Sequence, residues 1–140
     1  MAHGEFSPNP PTTSWCVGER PDRRMILVAA FWYKDPKGTT WDAPANWSVD
    51  GASIPRALWT LVGSPYTGNY RLASIVHDVA CDRAGDDTAA RRAADKMYFH
   101  ACRAGGCSWW EATIQYLGVR VGAMWPDTKA WIRRVLFVAK

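Results

Sequence analysis

The spacing of hydrophobic positions changes once along the chain. From Met25 to Tyr33 the run Met-Ile-Leu-Val-Ala-Ala-Phe-Trp-Tyr is apolar or aromatic throughout, and it is followed by Asp35-Pro36-Lys37-Gly38. Such a run closed by Pro and Gly predicts a strand and a type I or II turn, with a return strand over Thr39 to Trp41 and a further extended piece over Trp47 to Val49. Beyond this point the spacing becomes helical. Leu72, Ile75, Val76 and Val79 predict a helix from Tyr70 to about Cys81, with Asn69 as its cap. Asp86 or Asp87 can cap a second helix over Thr88 to Cys102, which Gly105-Gly106 would stop. Ser108 and Glu111 stand at the offset of a capping box and predict a third helix running to about Val121. Pro126 followed by Asp127 fits the first turn of a fourth, carrying Trp131, Val135 and Leu136. Within residues 1–22, Pro8, Pro10, Pro11 and Pro21 predict an extended arm without regular structure. The expected architecture is α+β: that arm, a small antiparallel β-hairpin or meander, and three to four helices, with residues 23–140 as a single domain.

Composition supports a folded chain. A hydrophobic share of 48% against 21% charged residues over 140 positions excludes a disordered protein and suffices for one core. Nine tryptophans are the anomaly, because each buries a large area yet keeps an N–H that needs a partner; such a chain tends to have aromatic surface left for an interface. The net charge of +4 comes from basic residues interleaved with acids, with Arg20, Arg23 and Arg24 as the densest group, which argues against a nucleic-acid partner. Cys16, Cys81, Cys102 and Cys107 lack Cys-x-x-Cys spacing, so a zinc ribbon is excluded and free thiols are expected. Residues 1–11 hold no apolar signal core and no run of 18 apolar residues occurs. The expected location is therefore the cytoplasm in which the chain is made, or the virion, with no membrane span.

Candidate chemistry is confined to three segments. The loop Asp50-Gly51-Ala52-Ser53-Ile54-Pro55-Arg56 can hold Asp50 and Ser53 in fixed directions, because Gly51 permits positive φ and Pro55 stiffens the exit. On the first helix Tyr70, Ser74, His77 and Cys81 share one stripe, while Asp78 lies about 100° away and can address a different group. On the second helix Arg91, Asp95, Tyr98 and Cys102 share another, and a short connection over 83–87 would bring Asp95 to the level of His77. Each element has a plain structural explanation: a packed His, an Asx turn at Asp50, and an intrahelical pair of Asp95 with its basic neighbours. Taken jointly, a His and three Asp on converging elements are costly to bury unless paired or bound to a cation. His100 points to a different face and His3 lies in the arm. Ser53 lacks a nucleophile elbow, and no His-Glu-x-x-His, phosphate-binding loop or dinucleotide fingerprint occurs. Trp109 and Trp110 read as core residues or as the wall of a ligand groove.

The motif Asp50 to Arg56, followed by Trp59, Gly63, Val76-His77-Asp78 and Arg91-Arg92-Ala93-Ala94-Asp95, resembles a family of small bacterial and phage proteins known as a domain of unknown function. That resemblance covers about residues 43–122 and implies a phage or prophage origin without an activity. The His-Asp pair followed by a distant Asp also resembles the phospholipase A-two class. By that resemblance His77 is the base, Asp78 holds calcium or another divalent cation with the Asp50 to Ser53 loop, and Asp95 orients His77. Cys81 stands where that class has Tyr, its flanking disulfide cysteines are missing, and the loop is not Gly-rich. The leading expectation is a hydrolase of an ester or amide bond in the cell envelope, with catalytic His77, Asp78 and Asp95 and binding groups Asp50, Gly51, Ser53 and Arg56, with or without a divalent cation. Its rivals are a non-enzymatic virion component of the tail or baseplate, and a cytoplasmic host-interaction or anti-defence binder.

Overall fold

The computed structural model describes residues 2–15, 25–49 and 69–124. Among these, short strands come first: β1 (Glu5–Phe6), β2 (Thr13–Trp15), β3 (Met25–Leu27), β4 (Phe31–Lys34), β5 (Thr40–Ala43) and β6 (Ser48–Val49). Helices follow: α1 (Arg71–Ala84), α2 (Thr88–Ala104) and α3 (Trp109–Met124). The strands form two antiparallel sheets of three, ordered β1-β4-β5 and β2-β3-β6. The architecture is α+β, as the change of spacing requires.

Two sequence expectations are corrected in the strands. The run 25–33 is not one strand, since β3 belongs to one sheet and β4 to the other, with a break at 28–30 where Val28 is exposed. Met25, Leu27, Phe31 and Tyr33 are all buried, so the alternation survives the break while the pairing partners change. An apolar run carries no record of which strand lies beside it. The arm, for its part, does have regular structure: Phe6 pairs with Tyr33, and Thr13 with Leu27. Pro8, Pro10 and Pro11 fall between β1 and β2, where their missing N–H groups break no ladder.

Asp35 builds the turn between β4 and β5. Its Oδ1 accepts from the amides of Lys37 and Thr39, both at 2.9 Å, its Oδ2 accepts from the Trp41 indole, and Gly38 takes the positive φ. The sheets reach α1 through Trp47, whose indole donates to Asp82, and through a bidentate pair of Arg83 with Asp42.

The helix limits are set by caps. Asp87 accepts from the amides of Ala89 and Ala90 at the start of α2, and Ser108 and Glu111 exchange the two bonds of a capping box at the start of α3. Asn69 does not cap α1. Tyr70 stands at that position and its side chain does not cap the helix, while the Asn69 amide donates to the carbonyl of Gly106 and so ties the start of α1 to the end of α2. The expected fourth helix lies outside the described residues. Replacing Asp87 by alanine should cost about 1 kcal/mol in urea unfolding, and the same change at Asp86 less than about 0.5 kcal/mol. Equal effects would contradict the assignment of the cap.

Candidate functional site

The turn between α1 and α2 pivots on Gly85, at φ 53°, and its brevity forces the two helices to lie side by side and antiparallel. His77 and Asp95 stand at equal distances in sequence on either side of Asp86, so the hairpin sets them opposite one another. They meet. His77 Nε2 lies 2.7 Å from Asp95 Oδ1, and both side chains are fully buried. A carboxylate can only accept, so Nε2 carries the proton and Nδ1 keeps the lone pair when the ring is neutral.

From the third helix, Arg120 Nη1 donates to Asp95 Oδ2 at 2.8 Å. One residue from each helix thus forms the line His77, Asp95, Arg120, with the two carboxylate oxygens used separately. Arg91, one turn before Asp95, places Nε 3.6 Å from Oδ1, close enough for charge attraction and too long for a hydrogen bond. The Tyr98 ring packs on His77 at 4.6 Å between centroids, and its hydroxyl donates to Gln115 Oε1 at 2.9 Å. This second polar link joins α2 to α3 beside the first.

Electrostatics fix the protonation states. Burial is the largest influence on His77 and pushes its pKa below 6.5; Asp95 opposes it through the hydrogen bond and its charge, and Arg91 adds to the lowering. The imidazole is therefore neutral at pH 7. The half-buried Cys81 thiol lies 3.4 Å from Nε2 and 3.8 Å from Nδ1. Burial pushes its pKa up to about 12, with Arg91 pulling down and Asp95, Asp78 and Asp82 pushing up. It is a thiol rather than a thiolate, and it crowds the nitrogen that Asp95 already holds, so the geometry of a cysteine nucleophile is absent from this arrangement.

His77, Cys81 and Asp95 could in principle surround a metal, since one donor atom from each lies within 4.8 Å of the others. The chemistry of the set does not fit a calcium-like ion, which takes about six to eight oxygens. Here one nitrogen, one protonated sulfur and one carboxylate converge, and that carboxylate is taken by a hydrogen bond of 2.7 Å and faced by two guanidinium groups. Asp78 is buried at 6% exposure on the adjacent position of α1. Its expected metal-binding companion Asp50, together with Gly51, Ser53 and Arg56, lies outside the described residues.

Of the sequence-derived candidates, the structure brings His77 and Asp95 into contact and leaves Asp78 on the same turn. His100 lies apart, stacked on His3 with centroids 6.0 Å apart. Trp109 and Trp110 are 60% and 65% exposed, so the expectation that they pack into the core is corrected. They open α3 at its first turn. Arg120 was missed, because nothing local marks a residue that acts across a separation of 25 positions. Arg91 and Cys81 were signalled by their four-residue offsets from Asp95 and His77, though neither offset shows what the residue does there.

The family model described as Protein of unknown function (DUF1353) matches residues 25–119, and the chain belongs to that family. It is 35% identical over 118 residues to the uncharacterized protein y4jT of Sinorhizobium fredii (strain NBRC 101917 / NGR234), covering 83% of this chain and 33% of that protein. It is also 43% identical over 58 residues to the uncharacterized protein y4iH of the same strain, covering 41% of this chain and 24% of the relative. The chain thus spans about a third and about a quarter of the lengths of these relatives. No solved structure matches it.

Proposed function

We propose that this family member is a hydrolase in which His77 acts as general base on an ester or amide bond. The observation that carries this reading is the 2.7 Å bond from His77 Nε2 to a carboxylate that is itself clamped by Arg120. That bond fixes the tautomer and the plane of the ring, so the basic Nδ1 edge has one direction in which to act. A neutral imidazole at pH 7 can accept a proton from the attacking water as the water's oxygen bonds to the carbonyl carbon. The imidazolium so formed sits beside Asp95, which stabilises its charge, and it then delivers the proton to the leaving group as the scissile bond breaks. Asp95 is a positioning residue here, and Asp78 is buried at the next position of α1. No step runs through a calcium-like ion, because the described donors do not fit one. In the setting suggested by the resemblance to small phage and bacterial proteins, the substrate is a component of the cell envelope.

One observation favours a second reading. His77 and Asp95 are both at 0% exposure, and a buried network of this kind also serves to lock three helices in register. In a virion component it would do only that, and the exposed Trp109, Trp110 and Leu117 would face a neighbouring subunit. The two readings separate in one assay. Purified protein is tested on chromogenic esters and on labelled cell-wall and phospholipid substrates, beside His77→Gln, whose amide can still donate to Asp95. General-base catalysis predicts a loss of about 10²-fold or more with the fold retained. Activity equal to that of the parent, or no activity in the parent on any substrate, would rule out the hydrolase reading.

A further inference from the structure

Arg91 is anomalous among the residues of this site. Its Nε and Nη2 are both buried, and among the described residues neither has a hydrogen-bond acceptor. Asp95 does not meet the need: its Oδ1 is held by His77, its Oδ2 by Arg120, and the approach of Nε to Oδ1 stops at 3.6 Å. A buried donor without an acceptor is destabilising, and two on one charged group more so. Such a pair calls for an acceptor from outside these residues, of which a bound ligand is one and an ordered water another.

The identity of the two atoms narrows what that acceptor is. Nε–H and Nη2–H project in parallel from the same edge of a guanidinium, at the spacing that matches two oxygens of a carboxylate or a phosphate. The Arg91 side chain is 22% exposed, through atoms other than these two, so the residue lies at the edge of the buried network rather than at its centre. Its Nε lies 3.6 Å from the same Asp95 oxygen that His77 Nε2 meets at 2.7 Å, which places the guanidinium close to the imidazole rather than on a remote surface.

We infer that Arg91 is the anion-recognition residue of this site, holding a carboxylate or phosphate oxyanion of the ligand through its Nε and Nη2 edge next to His77. The inference rests on the hydrolase reading only in calling that ligand a substrate. Under it, the bond that is cleaved lies close to an anionic group, which selects acidic peptides or phosphate-bearing esters over neutral ones.

The test uses acetate and inorganic phosphate as probes, titrated into the full chain while the His77 ring resonances and the unfolding temperature are followed. Saturable binding to the parent is expected at concentrations on the order of 1 to 100 mM. Arg91→Met removes the charge, and Arg91→Lys keeps the charge but loses the paired donors. Both should weaken binding by about tenfold or more. The Lys variant guards against a folding artefact, since it retains a cation beside Asp95. A preference for acetate points to a carboxylate ligand and a preference for phosphate to a phosphate ester; either supports the inference. Parent-like binding in Arg91→Met, or no response of the parent to either anion, overturns it. The hydrolase reading fails separately: His77→Gln should keep anion binding while losing hydrolysis. If it keeps both, the anion site stands and the catalytic reading falls.

Discussion

Replacing Asp95 by alanine will destabilise the protein by about 3 to 5 kcal/mol, the largest effect expected of any single substitution in the site. The carboxylate is fully buried and receives His77 and Arg120 on separate oxygens. Its removal leaves the buried His77 N–H without this acceptor and deprives Arg120 and Arg91 of their common counter-charge. Arg120 is 19% exposed and can turn partly toward water, whereas His77 is at 0% and cannot. Asp95→Asn should cost less than the alanine change, because an amide oxygen can still accept from Nε2, although its NH₂ group would then oppose Arg120, donor against donor. Urea unfolding of the two variants measures both effects. A loss below about 1 kcal/mol for Asp95→Ala would mean that the carboxylate is not the link between the helices.

The parts of this site that could be read from the sequence are those that depend on local offsets. Asp87 and the Ser108 and Glu111 pair announced where α2 and α3 begin, since a cap acts within four residues of itself. A short turn between two amphipathic stripes then placed Asp95 opposite His77, because an antiparallel hairpin has little freedom once its turn is fixed. What sequence could not supply was the choice among distant partners. Arg120 is one of several arginines with no periodic tie to the other two helices. The break at 28–30 is invisible because both flanking strands keep the same alternation of buried residues while pairing in different sheets. Asn69 has the chemistry of a cap but spends its amide on Gly106, a contact set by the way the end of α2 returns to the start of α1. Trp109 and Trp110 are apolar by composition and exposed by position, which a count of apolar residues cannot distinguish.

Between pH 7 and pH 5 the parent protein will lose stability that His77→Gln keeps. Burial holds the folded-state pKa of His77 below the 6.5 of an ordinary imidazole, so the ring stays neutral in the fold while the unfolded chain takes up a proton. Below pH 6.5 the unfolded state therefore binds more protons than the native state, and linkage requires stability to fall as pH falls. The slope is at most about 1.4 kcal/mol per pH unit, and it vanishes once the pH drops below the folded-state pKa. His100 adds a slope of the same sign, since burial and the neighbouring His3 also lower its pKa. The informative quantity is consequently the difference between parent and His77→Gln, in which the His100 contribution cancels. Asp35 and Asp42, held low by the Trp41 indole and backbone amides in one case and by Arg83 in the other, act only near and below the usual carboxylate value of 3.8. Among the described groups with a shifted pKa, that leaves the window from pH 6.5 down to about 5 to His77 and His100. Unfolding free energies at pH 7.5, 6 and 5, on the order of one measurement per pH unit, should converge between parent and variant toward acid. Parallel profiles would mean that His77 takes its proton as easily in the fold as outside it. The imidazole would then be partly charged near neutral pH, and the Nδ1 lone pair that base catalysis requires would be correspondingly scarce.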